Sequence, residues 1–541
     1  MAERLIEVED LAVEFHTAQG TVHAVNGIGY HLDASETLAI LGESGSGKSV
    51  QAAAIMNLID SPPGYITGGR VLYRDTDLLT LSNEARREIN GQRIAMIFQD
   101  TLAHLNPVYS VGWQIAETLT VHGETGQTEA RERAVALLER VGIPDPKRRF
   151  EDYPHQFSGG QRQRIMIAMA LALRPEVLIA DEPTTALDVT TQAQILRLIK
   201  ELQSERDTGV LFITHDFGVV AEIADRVAVM QTGRIVEMGD AKQVLSDPQH
   251  AYTQMLISAV PSMTPKHRAA VDGAQVALAT HALSKTYRSG GMFGGGRVVH
   301  AAKDVDLSIR RGETLGIVGE SGSGKSTVAR CIVRLIAPSG GQIVIDGHDI
   351  ATAPARLLRE HRRRVQIVFQ DPYRSLNPRR KVGQSIIEGP TNFGVAYDEA
   401  WQRARDLMTL VGLDPKALER YPHQFSGGQR QRICIARALA MQPEVLIADE
   451  AVSALDVSVQ AQVLDLLDQV RRRFDLAMLF ITHDLRVAAQ VCDQVAVMFQ
   501  GEVVEHGTAV DVFGDPKHEY TRALFDAAPG RDWEFGGAEA P

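Results

Sequence analysis

The feature that most constrains this chain is a repeat: the octapeptide GESGSGKS occupies Gly42–Ser49 and returns letter for letter at Gly319–Ser326. The repetition extends well beyond one motif. YPHQFSGGQRQR at Tyr153–Arg164 recurs at Tyr421–Arg432, VLIADE at Val177–Glu182 at Val445–Glu450, and FITHD at Phe212–Asp216 at Phe480–Asp484. H-x-Y-T-x-x-L-x-x-A-x-P at His250–Pro261 likewise returns at His518–Pro529. These last four pairs share one spacing, so only the front halves of the two copies differ in loop length. A period this long lies far outside the roughly 20–50 residues of a solenoid repeat and marks tandem duplication of a whole domain. Length agrees, because 541 residues exceed the roughly 250–300 at which a single hydrophobic core stops growing.

Aligning IEVEDLAVEF (Ile6–Phe15) with LATHALSKTY (Leu278–Tyr287) sets the boundaries. A first domain is expected over residues 1–261, a linker over 262–276, a second domain over 277–530 and a disordered tail over 531–541. The connector PSMTPKHRAAVDGAQ has the Pro, Gly and polar content of a short link, and SGGMFGGG at 289–296 reads as a flexible loop in the second copy alone. Apolar runs such as TLAILG, VLIAD and GVLFIT predict buried strands, while ARERAVALLERVG and TTQAQILRLIKELQSE carry helical periodicity. Strands alternating with helices predict an α/β fold with a mostly parallel sheet, and segments such as RIVEMG an antiparallel portion.

The octapeptide fits G-x-x-x-x-G-K-[ST], a loop whose backbone N–H groups converge on phosphate oxygens at a helix N-terminus. Its members are Gly42, Glu43, Ser44, Gly45, Ser46, Gly47, Lys48 and Ser49, then Gly319, Glu320, Ser321, Gly322, Ser323, Gly324, Lys325 and Ser326. Lys48 and Lys325 would reach the terminal phosphates of a bound nucleotide, ATP or GTP, and the hydroxyls of Ser49 and Ser326 would ligate Mg²⁺. Each copy follows an apolar strand and precedes a helical pattern, the context that the loop requires. VLIADE ends a strand in two acids, which suits a carboxylate near Mg²⁺ (Asp181, Asp449) followed by one that activates water (Glu182, Glu450). Such a pair standing alone would also read as a polar strand end.

The net charge of −12 disfavours nucleic acid as a partner, and 44% hydrophobic with 23% charged residues is ordinary for a globular protein. No run approaches the roughly 18–20 apolar residues of a spanning helix, and the acidic, strand-like N-terminus predicts a cytosolic chain. Cys331, Cys434 and Cys492 lie far apart and suit structural thiols better than a metal site or a disulfide framework.

FSGGQ at Phe157–Gln161 and Phe425–Gln429 resembles the signature of the ATP-binding cassette family. Taken alone, each serine with two glycines would be a plain helix cap; its place between the phosphate loop and VLIADE is what carries the resemblance, which covers almost the whole chain. The resemblance implies two cassettes, each with a parallel core, an antiparallel part and a helical subdomain. It assigns Gln99 and Gln370 to the glutamine loop that touches Mg²⁺ and the attacking water, and His215 and His483 to the switch that meets the γ-phosphate. Phe15 and Tyr287 fall where the family stacks an aromatic on adenine, with core packing as the alternative. Ser158, Gly159, Gly160 and Gln161 would cover the nucleotide of the second cassette, and Ser426, Gly427, Gly428 and Gln429 that of the first. ALD at Ala186–Asp188 and Ala454–Asp456 resembles the loop that crosses between cassettes. Both sites carry the full residue set, so two hydrolytic sites are expected. Departures from the family pattern are Ala451 in place of proline, Thr101 and His104 after the first glutamine loop, and Phe opening each signature.

HAYTQMLISAVP and HEYTRALFDAAP, with LNPVYSVGWQIAE and LNPRRKVGQSIIE, resemble the peptide, opine and nickel importer ATPases of fused tandem type. That implies a peripheral subunit on the cytoplasmic face of the inner membrane, coupled to two membrane-spanning permease subunits and served by an extracytoplasmic solute-binding protein, without direct contact with the solute. Many relatives place an iron–sulfur cysteine cluster after this segment; with no cysteine there, no such cofactor is expected. The competing reading is a soluble tandem ATPase acting on ribosomes or nucleic acid, disfavoured by the acidic charge and the short connector.

Overall fold

The computed structural model describes residues 3–531 and 533, apart from 19, 124, 125, 185, 186, 269–272, 289–297 and 454. The glycine-rich stretch 289–296, Ala186, Ala454 and nearly all of the tail 531–541 therefore lie outside the described residues. The chain divides into two compact units, Met1–Val260 with Ala528–Pro541, and Pro261–Ala527.

In the first unit the strands are β1 (Arg4–Thr17), β2 (Gly20–Asp33), β3 (Thr37–Leu41), β4 (Gly64–Tyr73), β5 (Thr76–Asp77), β6 (Ile94–Ile97), β7 (Val177–Asp181), β8 (Gly209–Thr214), β9 (Arg226–Gln231) and β10 (Arg234–Asp240). A four-stranded sheet runs β2-β1-β4-β5 and is antiparallel throughout. A six-stranded sheet runs β10-β9-β3-β8-β7-β6, parallel except for β10, which pairs antiparallel with β9. The antiparallel portion thus includes RIVEMG, as expected. Every residue of β3, β7 and β8 is buried, because one face of the sheet packs on helices and the other on the helix Lys48–Ile55 and the antiparallel sheet, which leaves no solvent side for polar residues. Phe212 of β8 is fully buried within a core shared with the helices Val111–Val121, Gln127–Arg140, Gly159–Leu171 and Val189–Arg206.

The second unit repeats this plan with β11 (Val276–Arg288), β12 (Val298–Arg310), β13 (Thr314–Val318), β14 (Gly340–Ile345), β15 (His348–Asp349), β16 (Val365–Val368), β17 (Val445–Asp449), β18 (Ala477–Ile481), β19 (Gln494–Phe499) and β20 (Glu502–Thr508). Its sheets run β12-β11-β14-β15 and β16-β17-β18-β13-β19-β20. Residues 261–268, inside the connector marked by composition, belong to this unit. Gln490 Nε2 donates to the carbonyls of Ser262 (2.8 Å) and Thr264 (2.9 Å), and Arg268 donates to the Gln490 carbonyl at 2.9 Å and to Asp468 at 3.1 Å.

The strand order matters most for function. Segments distant in sequence end side by side along the carboxyl edge of β6-β7-β8-β3, the edge where open parallel sheets bind ligands. No helix among the described residues is long and apolar enough to cross a membrane.

Candidate functional site

In the first unit the phosphate loop leaves β3 and enters the helix Lys48–Ile55. Gly47, at φ 103°, caps that helix in the left-handed region, and a Cβ there would strike the Ala24 carbonyl. Only glycine meets both conditions. Lys48 is buried, its ammonium donating to the carbonyls of Gly42 (2.7 Å) and Glu43 (2.9 Å). In the second unit Lys325 donates to Gly319 (2.7 Å) and Glu320 (2.8 Å) in the same way. The hydroxyls of Ser46 and Ser323 are buried in these loops without a hydrogen-bond partner. An orphaned hydroxyl costs about 1–3 kcal/mol unless something pairs with it, so the loops are built to meet hydrogen-bonding atoms from a ligand.

The end of β7 supplies the acids. Ser49 Oγ donates to Asp181 Oδ1 at 2.9 Å, and Ser326 Oγ to Asp449 Oδ1 at 2.9 Å. Burial, reinforced by the neighbouring Glu182 charge, raises Asp181 to about 6 against the hydrogen bond from Ser49; Asp449 is raised for the same reasons. Glu182 follows at φ 47° and Glu450 at φ 50°, both in the left-handed region that side chains normally avoid. Their backbone N–H groups are held by the Ile213 and Ile481 carbonyls at 2.9 Å. Strain of this kind persists where the surroundings over-determine it, and it clusters at functional sites.

Glu182 is clasped from two sides: Gln99 Nε2 donates to Oε2 at 2.7 Å, and His215 Nδ1 lies 3.1 Å from Oε1. Glu450 receives Gln370 Nε2 at 2.7 Å and has His483 Nδ1 at 3.5 Å. Burial alone would lower both imidazoles, but the hydrogen bond and charge of the adjoining glutamate, with Asp216 or Asp484 behind, outweigh it and hold both above their ordinary value. Burial would raise the Glu450 carboxyl, yet His483 and Lys325 bring it below the usual range.

Lysine, serine, aspartate, glutamate, glutamine and histidine thus gather within each unit. The signature residues are placed elsewhere. Ser158 caps the helix Gly159–Leu171 in a reciprocal box with Gln161 (3.2 and 3.3 Å), and Ser426 and Gln429 do the same at 3.1 and 3.3 Å. Gly159 and Gly427 have open space where a Cβ would stand. Phe15 packs half-buried against the first core, whereas Tyr287 is 42% exposed with the Lys285 ammonium 5.1 Å above its ring. His104 stacks on Phe98 at 4.0 Å; the side chain of Thr101 lies outside the described residues. Beside Ala451, Ser453 Oγ donates to the Glu450 carbonyl at 3.1 Å, tying down a turn that lacks proline. Cys331, Cys434 and Cys492 are buried and unpaired, each thiol pushed up by burial.

One contact has no counterpart in the sequence reading. Tyr252, from the H-x-Y-T segment, reaches the phosphate loop: its hydroxyl accepts from Glu43 N–H (3.4 Å) and donates to Glu43 Oε2 (3.1 Å). In the second unit Glu320 N–H donates to Tyr520 Oη at 3.1 Å. The signal in the sequence was the repetition of the motif.

The ABC transporter profile matches residues 25–185 and 302–453. The chain belongs to the ATP-binding cassette transporter family. The profile of the oligopeptide/dipeptide transporter C-terminal region matches 236–289 and 504–535, the stretches that follow each cassette's β9 or β19. The chain is similar to the glutathione import ATP-binding protein GsiA of Escherichia coli O157:H7, 46% identical over 98% of this chain and 90% of that protein. The same protein of Shigella dysenteriae matches to the same extent. A solved dimeric ATP-binding cassette in a post-hydrolysis state with ADP and Pi covers 44% of this chain and 99% of that chain, at 27% identity and a TM-score of 0.41.

Proposed function

We propose that this chain is the ATP-hydrolysing subunit of an importer for short peptides, with glutathione, itself a tripeptide, as the first solute to try. Relatives named for glutathione import and the oligopeptide/dipeptide match in both cassettes support that choice. The observation that carries the hydrolytic reading is the glutamate clasped between glutamine and histidine beside a phosphate loop, formed twice over.

The chemistry follows from the residues. Loop N–H groups and Lys48 or Lys325 would bind the phosphates. Mg²⁺, when bound, would neutralise charge on the β- and γ-phosphates. Ser49 and Asp181 with Gln99, and Ser326 and Asp449 with Gln370, are the oxygen donors that would hold it. This set fits the ion, since Mg²⁺ takes one or two carboxylates and leaves its other positions to phosphate and water. Glu182 and Glu450 would accept the proton of the attacking water, with Gln99, His215, Gln370 and His483 fixing their carboxylates. Each signature, from Ser158 or Ser426, would complete the nucleotide site of the other cassette, so that ATP closes the pair and hydrolysis reopens it. Permease subunits in the membrane would carry the solute, supplied by an extracytoplasmic binding protein, with this chain on their cytoplasmic face.

Two measurements test the proposal. Hydrolysis by the Glu182→Gln, Glu450→Gln double variant should fall at least about 100-fold while ATP still binds. The wild-type chain should co-purify from membranes with two hydrophobic subunits; salt-sensitive association with ribosomes instead would sink the importer reading.

A further inference from the structure

The H-x-Y-T motif recurs in both units, and each of its polar contacts bears on the placement of one tyrosine. Glu237, on β10, accepts the backbone N–H groups of Gln249 (2.7 Å) and His250 (3.1 Å), which pins the entry to the helix Ala251–Ser258. His250 Nδ1 then accepts Tyr252 N–H at 3.2 Å, capping the helix and setting the direction of its first turn. In the second unit Glu505 accepts from Lys517 (2.7 Å) and His518 (3.0 Å), and His518 Nδ1 accepts Tyr520 N–H at 3.1 Å. The same scaffold, built independently in two copies, delivers a tyrosine hydroxyl to the same atom of each phosphate loop.

That atom is the N–H of the peptide joining Gly42 to Glu43, or Gly319 to Glu320. The carbonyl of this same peptide accepts Lys48 Nζ or Lys325 Nζ at 2.7 Å, so the plane is gripped at both ends. The residue before this peptide is glycine, Gly42 or Gly319, with no Cβ to hinder rotation about ψ, the torsion that turns the peptide plane. In the first unit the tyrosine also donates to the Glu43 carboxylate. That carboxylate is a negative charge in a loop that must accept a polyanion, and the hydroxyl fixes its position. A buried ring needs no hydroxyl for packing, since phenylalanine would fill the same volume.

We infer that Tyr252 and Tyr520 are positioning residues of the two nucleotide sites: each holds the first peptide of its phosphate loop in the nucleotide-accepting orientation, and the H-x-Y-T motif serves to aim the hydroxyl. The C-terminal extension is thereby part of the ATP site. This inference rests on the reading of both loops as ATP sites.

The test uses the full chain with both tyrosines changed to phenylalanine, Tyr252→Phe and Tyr520→Phe, which keeps both rings. The dissociation constant and KM for MgATP should rise roughly 5- to 20-fold, the loss expected for one or two hydrogen bonds near charged groups. The kcat at saturating ATP should change less than about twofold, the pattern of lost uniform binding. Adding Glu43→Gln to that variant should recover part of the affinity of the first site, because the carboxylate that Tyr252 held is gone. Unchanged ATP affinity overturns the inference, as does a loss accompanied by a fall of more than about 4 °C in the nucleotide-free Tm, which would indicate a structural role. Lys48→Ala with Lys325→Ala is the control: if that variant binds ATP normally, the ATP-site reading itself fails, whereas loss of binding there with none in the tyrosine variant rejects this inference alone.

Discussion

Glu182 decides the electrostatics of its neighbours. His215 is held above its ordinary value because the glutamate, with the Asp216 charge behind it, outweighs burial. A histidine raised in the folded state adds stability that is complete below its unfolded pKa and is lost as pH rises through the folded one. In nucleotide-free Glu182→Gln the largest opposition to burial is gone and only the Asp216 charge still favours the imidazolium, so the midpoint of the His215 ring resonance should move down from its wild-type value; an unchanged midpoint would contradict the pairing. Asp181 behaves oppositely. Its carboxyl is raised to about 6 from 3.8, so its charged form costs stability above that pH. Asp181→Asn should therefore raise the Mg²⁺-free Tm at pH 7.5, by an amount corresponding to at most about 3 kcal/mol, with the gain shrinking as pH falls towards 5. The residue types of this cluster were legible in the sequence, because VLIADE, FITHD and the glutamine loops are contiguous strings. The left-handed backbone at Glu182 and Glu450 was not, since it is imposed by the Ile213 and Ile481 carbonyls on a neighbouring strand.

The signature helix serves local structure and, on the proposed function, nucleotide binding, and substitutions can separate the two roles. Ser158→Ala with Ser426→Ala removes both caps and should cost about 1 kcal/mol per helix in urea unfolding. Ser158→Asp with Ser426→Asp keeps a competent cap, so stability should stay near wild type, yet it places a negative charge where the partner cassette's ATP would lie. Hydrolysis by the aspartate variant should drop more than about tenfold; full activity would mean that these serines only cap. Helix and strand identities in the core followed from apolar periodicity, as with Val189–Arg206 and β8. The helix Ala251–Ser258 lies in the H-x-Y-T segment, which the repeat marked. Its tyrosine's destination was not legible, because periodicity reports which face is buried and not which loop lies opposite.

The two candidate sites differ in sequence directly after the glutamate, with Pro183 in the first unit and Ala451 in the second. Glu182→Gln and Glu450→Gln made singly should each leave well under half of wild-type hydrolysis if the cassettes act as a coupled pair, whereas independent sites would each leave about half; steady-state ATPase rates distinguish the two. The duplication, the phosphate loops, the paired acids and the α/β class were determined by the sequence alone, because each is carried by a contiguous motif or by a local period repeated in two copies. Strand order was decided only in three dimensions. Nothing local requires β3 to lie beside β8 and β8 beside β7, yet that order is what brings Lys48, Asp181, Glu182 and His215 together along one sheet edge. The same holds for Tyr252, whose partner Glu43 lies across the fold in the first unit and is reached only because β10 and its Glu237 set where the extension helix begins.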